Sequence, residues 1–204
     1  MKLSGSLKMS ILNRSVMSTK AGLSRRNFIG FMLCAGISGL SSKSVFAAID
    51  ELATTERSLS LYNPHTKDSF NGVYWRKGKY VTDALKNINH IMRDFRAHDI
   101  KQIDTHLLNL LSAISIKLKP EKPFHVISGY RSPETNAKLR KCGKGAAKNS
   151  YHIQGKAVDI RLLGYRTSVL RRTAHYLKGG GVGFYPHQIF VHIDVGQIRY
   201  WKVT

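Results

Sequence analysis

Ser150-Tyr-His-Ile-Gln-Gly-Lys-Ala-Val-Asp-Ile-Arg161 is the stretch around which the chain is organised. His152 and Asp159 stand seven residues apart, with Gly155 and Ala157 between them. The Val/Ile pattern of 157–162 predicts a strand, with Asp159 facing away from Val158 and Ile160. Gly155 supplies a backbone free to turn, so that His152 can swing back toward Asp159. Further on, Phe190-Val-His-Ile-Asp194 predicts a second strand, with His192 and Asp194 on one face. Two imidazoles and one carboxylate suit a zinc ion that keeps its fourth position for water. Structural zinc sites favour closed thiolate shells instead, and this half of the chain offers a single cysteine, Cys142. The expectation is a hydrolase with one Zn2+ per chain, held by His152, Asp159 and His192.

Outward from that centre, the upstream half is helical in pattern. Leu85, Ile88, Met92 and Phe95 predict an amphipathic helix within 80–95, with Thr82 as its N-cap. Leu107, Leu108, Leu111, Ile114 and Leu118 repeat the pattern behind Asp104, and Pro120 ends it. Before these helices, Ser58-Leu-Ser-Leu-Tyr62 alternates up to an Asn63-Pro64 turn. Ser69 to Trp75, followed by Arg76-Lys-Gly-Lys79, reads as a hairpin. Phe124–Ser128 predicts a strand, 134–141 a short helix, 142–149 a loop, 167–177 a basic helix and Arg199–Trp201 a last strand. Gly179-Gly-Gly-Val-Gly-Phe-Tyr-Pro186 reads as a turn entering the strand at 189–194. Helices early and strands late predict an α+β fold: one domain, a mostly antiparallel sheet and flanking helices.

The first 47 residues carry seven Lys or Arg and no acid. Ser24-Arg-Arg-Asn-Phe28 precedes a short apolar run, Ile29 to Leu40, and Val45-Phe-Ala47 offers small residues for cleavage. This pattern predicts an export signal over 1–47, of the twin-arginine type, with cleavage after Ala47. The run is too short, and too rich in Gly and Ser, for a stable membrane span. Leu33 ahead of Cys34 argues against a lipoprotein anchor. Residues 48–57 read as a polar lead-in and 58–204 as the functional domain, long enough to bury one core. Beyond the signal, 26 basic residues face 12 acidic ones, a net +14. Such charge favours a polyanionic partner. For an exported protein in the periplasm or cell envelope the abundant polyanions are peptidoglycan and envelope phosphate groups, between which charge does not choose, and nucleic acid is not expected.

Ser-x-His-x-x-Gly-x-Ala-x-Asp, present as Ser150, His152, Gly155, Ala157 and Asp159, resembles the first metal motif of the zinc D-Ala-D-Ala peptidases. That superfamily also holds lysostaphin-type enzymes and the hedgehog signalling domain. Ser128-Gly-Tyr-Arg-Ser132 is similar to an upstream segment of these enzymes, and Phe190-Val-His-Ile-Asp194 to their second metal motif. The glycine run and the twin-arginine start resemble an exported branch of murein endopeptidases. The resemblance implies His152, Asp159 and His192 as zinc ligands and peptidoglycan stem peptides as substrate. By the same motif, Arg131 takes an oxyanion or a substrate carboxylate.

One departure bears on mechanism. Carboxypeptidases of this superfamily carry Glu or His two or three residues before the last ligand, where this chain has Ile189 and Phe190. Asp194 is therefore the first candidate for a general base, with the alternative that it only orients His192. His187 is the second candidate, and Tyr151 is read as a neighbour of the peptide groove. His65, His90, His98, His106 and His175 are given no role. An endopeptidase acting between stems is the expected activity, 3–3 cross-links included. A non-catalytic, zinc-stabilised peptidoglycan-binding module is the alternative.

Overall fold

The computed structural model describes residues 56–143 and 145–203. The export signal expected over 1–47 lies outside the described residues, as does the lead-in up to residue 55. The lead-in expected through residue 57 ends earlier, because Glu56 and Arg57 already pair with Arg76 and Trp75 in the first hairpin.

Among the described residues one sheet contains eight strands. They are β1 (Glu56–Tyr62), β2 (Ser69–Arg76), β3 (Lys79–Tyr80), β4 (Phe124–Ser128), β5 (Ala157–Leu162), β6 (Gly181–Tyr185), β7 (Phe190–Asp194) and β8 (Arg199–Lys202). Their spatial order is β3-β2-β1-β4-β5-β7-β6-β8. The β1–β4 and β6–β8 pairs run parallel and the other neighbours antiparallel, as the α+β reading expects. Among the described residues four α-helices accompany the sheet: α1 (Thr82–Ile91), α2 (Thr105–Leu118), α3 (Pro133–Lys141) and α4 (Thr167–Leu177).

Local chemistry explains the helix ends. The Asp104 carboxylate accepts the His106 N–H at 2.9 Å and caps α2, while Lys119 turns left-handed (φ 48°) ahead of Pro120. α1 stops short of the expected Phe95 because tertiary partners claim the backbone beyond Ile91. The Met92 carbonyl accepts the Tyr130 N–H at 2.7 Å, and the Ile91 carbonyl accepts Asn63 Nδ2 at 2.9 Å. Thr82 is the first helical residue rather than the cap; Val81 holds that place without a side-chain bond. Just after α1, the buried Asp94 accepts both the Ser132 N–H and its hydroxyl at 2.9 Å. The turn after α1 thus clamps 130–132, the segment that carries Arg131.

The core fixes which sheet face is left for chemistry. Leu107, Leu108, Leu111 and Ile114 of α2 join Leu59, Leu61, Val126, Val158, Ile160, Val191 and Ile193 in one buried cluster. Each such aliphatic residue contributes about 1.5–3 kcal/mol on burial. Val158 and Ile160 of β5, like Val191 and Ile193 of β7, point into this core, so Asp159, His192 and Asp194 point to the opposite face. A one-residue slip of β7 would exchange Ile193 for His192 in the core, which makes the register strongly specified.

The glycine run differs from its sequence reading. Its second half is not a turn but strand β6, paired with β7 on one side and β8 on the other. The reason lies in what leans across it, described next.

Candidate metal centre and cleft

The Ser150 hydroxyl accepts the His152 N–H at 3.3 Å and opens a one-turn 3-10 helix, Tyr151–Gln154. Gly155 closes it in the left-handed region (φ 69°), and its carbonyl accepts the Asp104 N–H at 2.9 Å. A Cβ at Gly155 would stand 2.5 Å from the Gln102 carbonyl oxygen. Gly155→Ala is therefore expected to cost about 1–3 kcal/mol of stability. Urea denaturation of the purified protein checks this; a cost near zero would mean that the His152 turn has room to relax.

Strand pairing lines up Ser128, Asp159, His192, Gly183 and Trp201 in one row across β4, β5, β7, β6 and β8. The His192 ring in this row and the His152 ring beside it are both fixed from behind. His152 donates from Nδ1 to the Gly129 carbonyl at 2.6 Å, and His192 donates from Nε2 to Asp194 Oδ2 at 2.9 Å. Each ring then presents its other nitrogen, with a lone pair, to a common point. His152 Nε2 and His192 Nδ1 are 3.1 Å apart, and Asp159 Oδ1 lies 3.3 Å and 2.9 Å from them. These sides are near the ~3.3 Å edge of a tetrahedron whose metal bonds are ~2.0–2.1 Å long. Three electron-rich atoms facing one another call for a cation between them, and N, N, O is a donor set that zinc accepts. The residues fit a metal ion.

Electrostatics agree. Burial pushes the His152 imidazole down toward its neutral form, and the Arg131 cation adds to that. His192 is pushed down by burial too, but Asp159 and Asp194 on its two sides outweigh this and hold it above its usual range. Asp159 sits well below the usual carboxylate range: burial opposes ionisation, and the two imidazoles overcome it.

Arg131 flanks the triangle. Its Nη2 donates to Asp159 Oδ2 at 2.5 Å and lies 3.2 Å from His152 Nε2, while its Nε donates to Ser128 Oγ at 2.8 Å. Asp194 lies behind His192, fully buried. It accepts from Gly181 and Gly196 N–H and from two nitrogens of Arg199, besides His192. Burial raises its pKa, but the His192, Arg199 and Gly196 donors bring it down from 3.8 to about 2. A carboxyl depressed in the folded state adds stability above the unfolded value and loses it as pH falls through the folded one. Metal-free protein is accordingly expected to lose about 2 kcal/mol relative to Asp194→Asn between pH 5 and pH 2, read from paired urea melts.

The centre opens into a cleft of about 280 Å³ walled by Tyr151, Tyr185, Phe190 and Trp201. Tyr185 stacks on Phe190 with ring centres 4.4 Å apart and accepts the Trp201 Nε1–H at 3.2 Å. Trp201 approaches His192 to 5.2 Å because β6 has glycine between them; a Cβ on Gly183 would stand 2.5 Å from the indole. Gly181 opens the same gap for Arg199 to reach Asp194. His187 is exposed in the turn before β7 and does not line the cleft. Arg199 and Trp201 escaped the sequence reading. The available signal was their two-residue spacing on a strand opposite the two-residue spacing of Gly181 and Gly183.

Fold and cluster together define a class: an α+β domain able to hold one metal ion on the open face of its sheet. Within that class the chain belongs to the peptidoglycan L,D-endopeptidase MepK family, whose description matches residues 51–201. It is 42% identical over 145 residues to the peptidoglycan L,D-endopeptidase MepK of Escherichia coli K12, spanning 71% of this chain and 80% of the relative. The Shigella flexneri protein of that name gives the same figures. The probable peptidoglycan L,D-endopeptidase MepK of Haemophilus influenzae is 37% identical over 147 residues, 72% of this chain and 79% of its own. The resemblance to the murein endopeptidases is thereby borne out.

Proposed function

We propose that this chain is an exported, zinc-dependent peptidoglycan L,D-endopeptidase that hydrolyses peptide cross-links between stems. The observation that carries the reading is the meeting of His152 Nε2, His192 Nδ1 and Asp159 Oδ1 within 3.3 Å of one another, at the floor of a cleft. Membership in a family described by that activity supplies the substrate class.

Zinc in this site would act as a Lewis acid and lower the pKa of a bound water toward about 7. The chain's own groups do the rest. The Gly129 carbonyl and Asp194 hold the two imidazoles in the tautomers that leave their metal-facing nitrogens free. Arg131, fixed by Ser128 and Asp159, offers positive charge to the oxyanion that develops on the scissile carbonyl. The aromatic walls seat the peptide and exclude bulk water.

Asp194, expected as general base, is read here as a positioning residue: His192 stands between it and the metal point, and its oxygens already accept five N–H groups. His187 takes no part, since it lies outside the cleft. Among the described lining residues, Asp159 and the two metal-facing histidines are the only carboxylate and imidazoles. The lack of a second carboxylate or a third imidazole among them favours the second reading, a zinc-stabilised module that binds stem peptides without cleaving them.

Purified protein, zinc-loaded, incubated with sacculi separates the two readings. Mass analysis is expected to find cross-linked dimers converted to monomers, with the reaction stopped by a chelator and restored by zinc. Dimers left intact by protein that holds one zinc per chain would leave the binding module. Among the described residues no helix is long and apolar enough to cross a membrane. The location we propose, periplasm or cell envelope, rests on the substrate and on the signal pattern of residues 1–47; fractionation of cells carrying the full chain tests it.

A further inference from the structure

The geometry points to a second recognition element in the cleft. Arg199, backed by Trp201 and Tyr151, forms a carboxylate-binding subsite on the His192 side of the centre. It selects peptides whose leaving residue keeps a free carboxylate on the carbon that bears the scissile nitrogen. This inference rests on the peptidase reading and adds to it the chemistry of the leaving side.

Arg199 is half-exposed (41%) and lines the cleft, yet its position is tightly set. Nη1 donates to Asp194 Oδ1 at 3.1 Å and to the Gln197 carbonyl at 3.0 Å, and Nη2 donates to Asp194 Oδ2 at 2.7 Å. The guanidinium carbon lies 5.1 Å from both the Tyr151 and the Trp201 ring centres. Gly181 makes the space, since a Cβ there would stand 2.5 Å from Nη1. A guanidinium has five N–H donors, and the bonds above use three, which leaves Nε and one Nη2 hydrogen for a ligand. Because the side chain is already ordered, a carboxylate that docks there gains charge-assisted bonds without the cost of freezing it.

Charge decides the sign of the ligand. Two guanidiniums border the ligand triangle: Arg131 beside Asp159 and His152, and Arg199 beyond His192 through Asp194. The one lining carboxylate is Asp159, which faces the metal point. An ammonium finds no free acceptor at the Arg199 end, since Asp194 already accepts five N–H groups, whereas a planar carboxylate matches the remaining Nε and Nη2 donors. With the scissile carbonyl at Arg131, a peptide laid across the centre brings the residue after the bond to Arg199. That residue's own carboxylate is the group within reach.

The test uses two synthetic cross-linked peptides that differ in one group, a free carboxylate or a carboxamide on the leaving residue. Zinc-loaded, full-length protein is expected to prefer the carboxylate by roughly thirtyfold in kcat/KM, mostly through KM. Arg199→Gln is expected to reduce that preference to about threefold or less, and Arg199→Lys to leave an intermediate one, because lysine keeps the charge but not the fork. Calorimetric titration with the free-carboxylate product gives a readout independent of turnover: binding at least tenfold weaker to Arg199→Gln, at unchanged zinc content. Should Arg199→Gln fail to fold, Arg199→Lys carries the comparison. Equal cleavage of both peptides by the unaltered protein, or a full preference retained in the variants, would overturn the subsite while leaving the peptidase standing. If neither peptide is cleaved, the peptidase reading fails, and titration with the carboxylate and carboxamide forms of the product still decides what Arg199 binds.

Discussion

Alanine in place of His192 is expected to take zinc from one per chain to a trace and to abolish hydrolysis. The ring supplies one of three metal-facing atoms, and no described neighbour can replace it: Asp194 lies behind the ring and Trp201 offers only an indole. Loss of the metal removes several kcal/mol of transition-state stabilisation, roughly 10³-fold or more in rate. Metal analysis after dialysis and a dimer-cleavage assay read the two effects separately. Asp194→Ala is the informative contrast, because removing a partner behind a ligand costs about 10- to 100-fold in affinity or activity rather than the site itself. A His192→Ala protein that kept stoichiometric zinc would refute the assignment of the triangle.

The second large effect is at Arg131. Arg131→Ala is expected to lower kcat by about 10²–10³ while zinc stays bound, since the guanidinium borders the triangle without supplying any of its three metal-facing atoms. Lysine should restore little of this. One ammonium on a flexible stem cannot reproduce the fork that bridges Ser128 Oγ and Asp159. Single-turnover rates against a zinc titration separate lost charge from lost metal; a fall in rate that tracked zinc content alone would reassign Arg131 to metal retention.

Much of this centre was legible in the residues themselves. His152, Gly155 and Asp159 lie on one continuous turn and strand, so their spacing carries the geometry, and Asp104 ahead of α2 is a cap of a kind that sequence reveals. What escaped depends on contacts made far along the chain. The end of α1 is set by Tyr130 and Asn63, residues that periodicity within 80–95 does not see. The glycine run looked like a turn because glycine is read first for its backbone freedom. Here Gly181 and Gly183 matter for the side chains they lack, which lets Arg199 and Trp201 cross a whole strand. The role of Asp194 hid for the same reason: a carboxylate two residues from a ligand looks available until the groups that saturate it are in place.

The placement of β8 has a consequence for maturation. All three metal-facing atoms belong to chain that ends at residue 192, whereas the indole and guanidinium that finish the cleft arrive with an outer strand at 199–202. The triangle can therefore close before the outer strand docks, and the cleft gains its aromatic wall and its guanidinium only when that strand is in place.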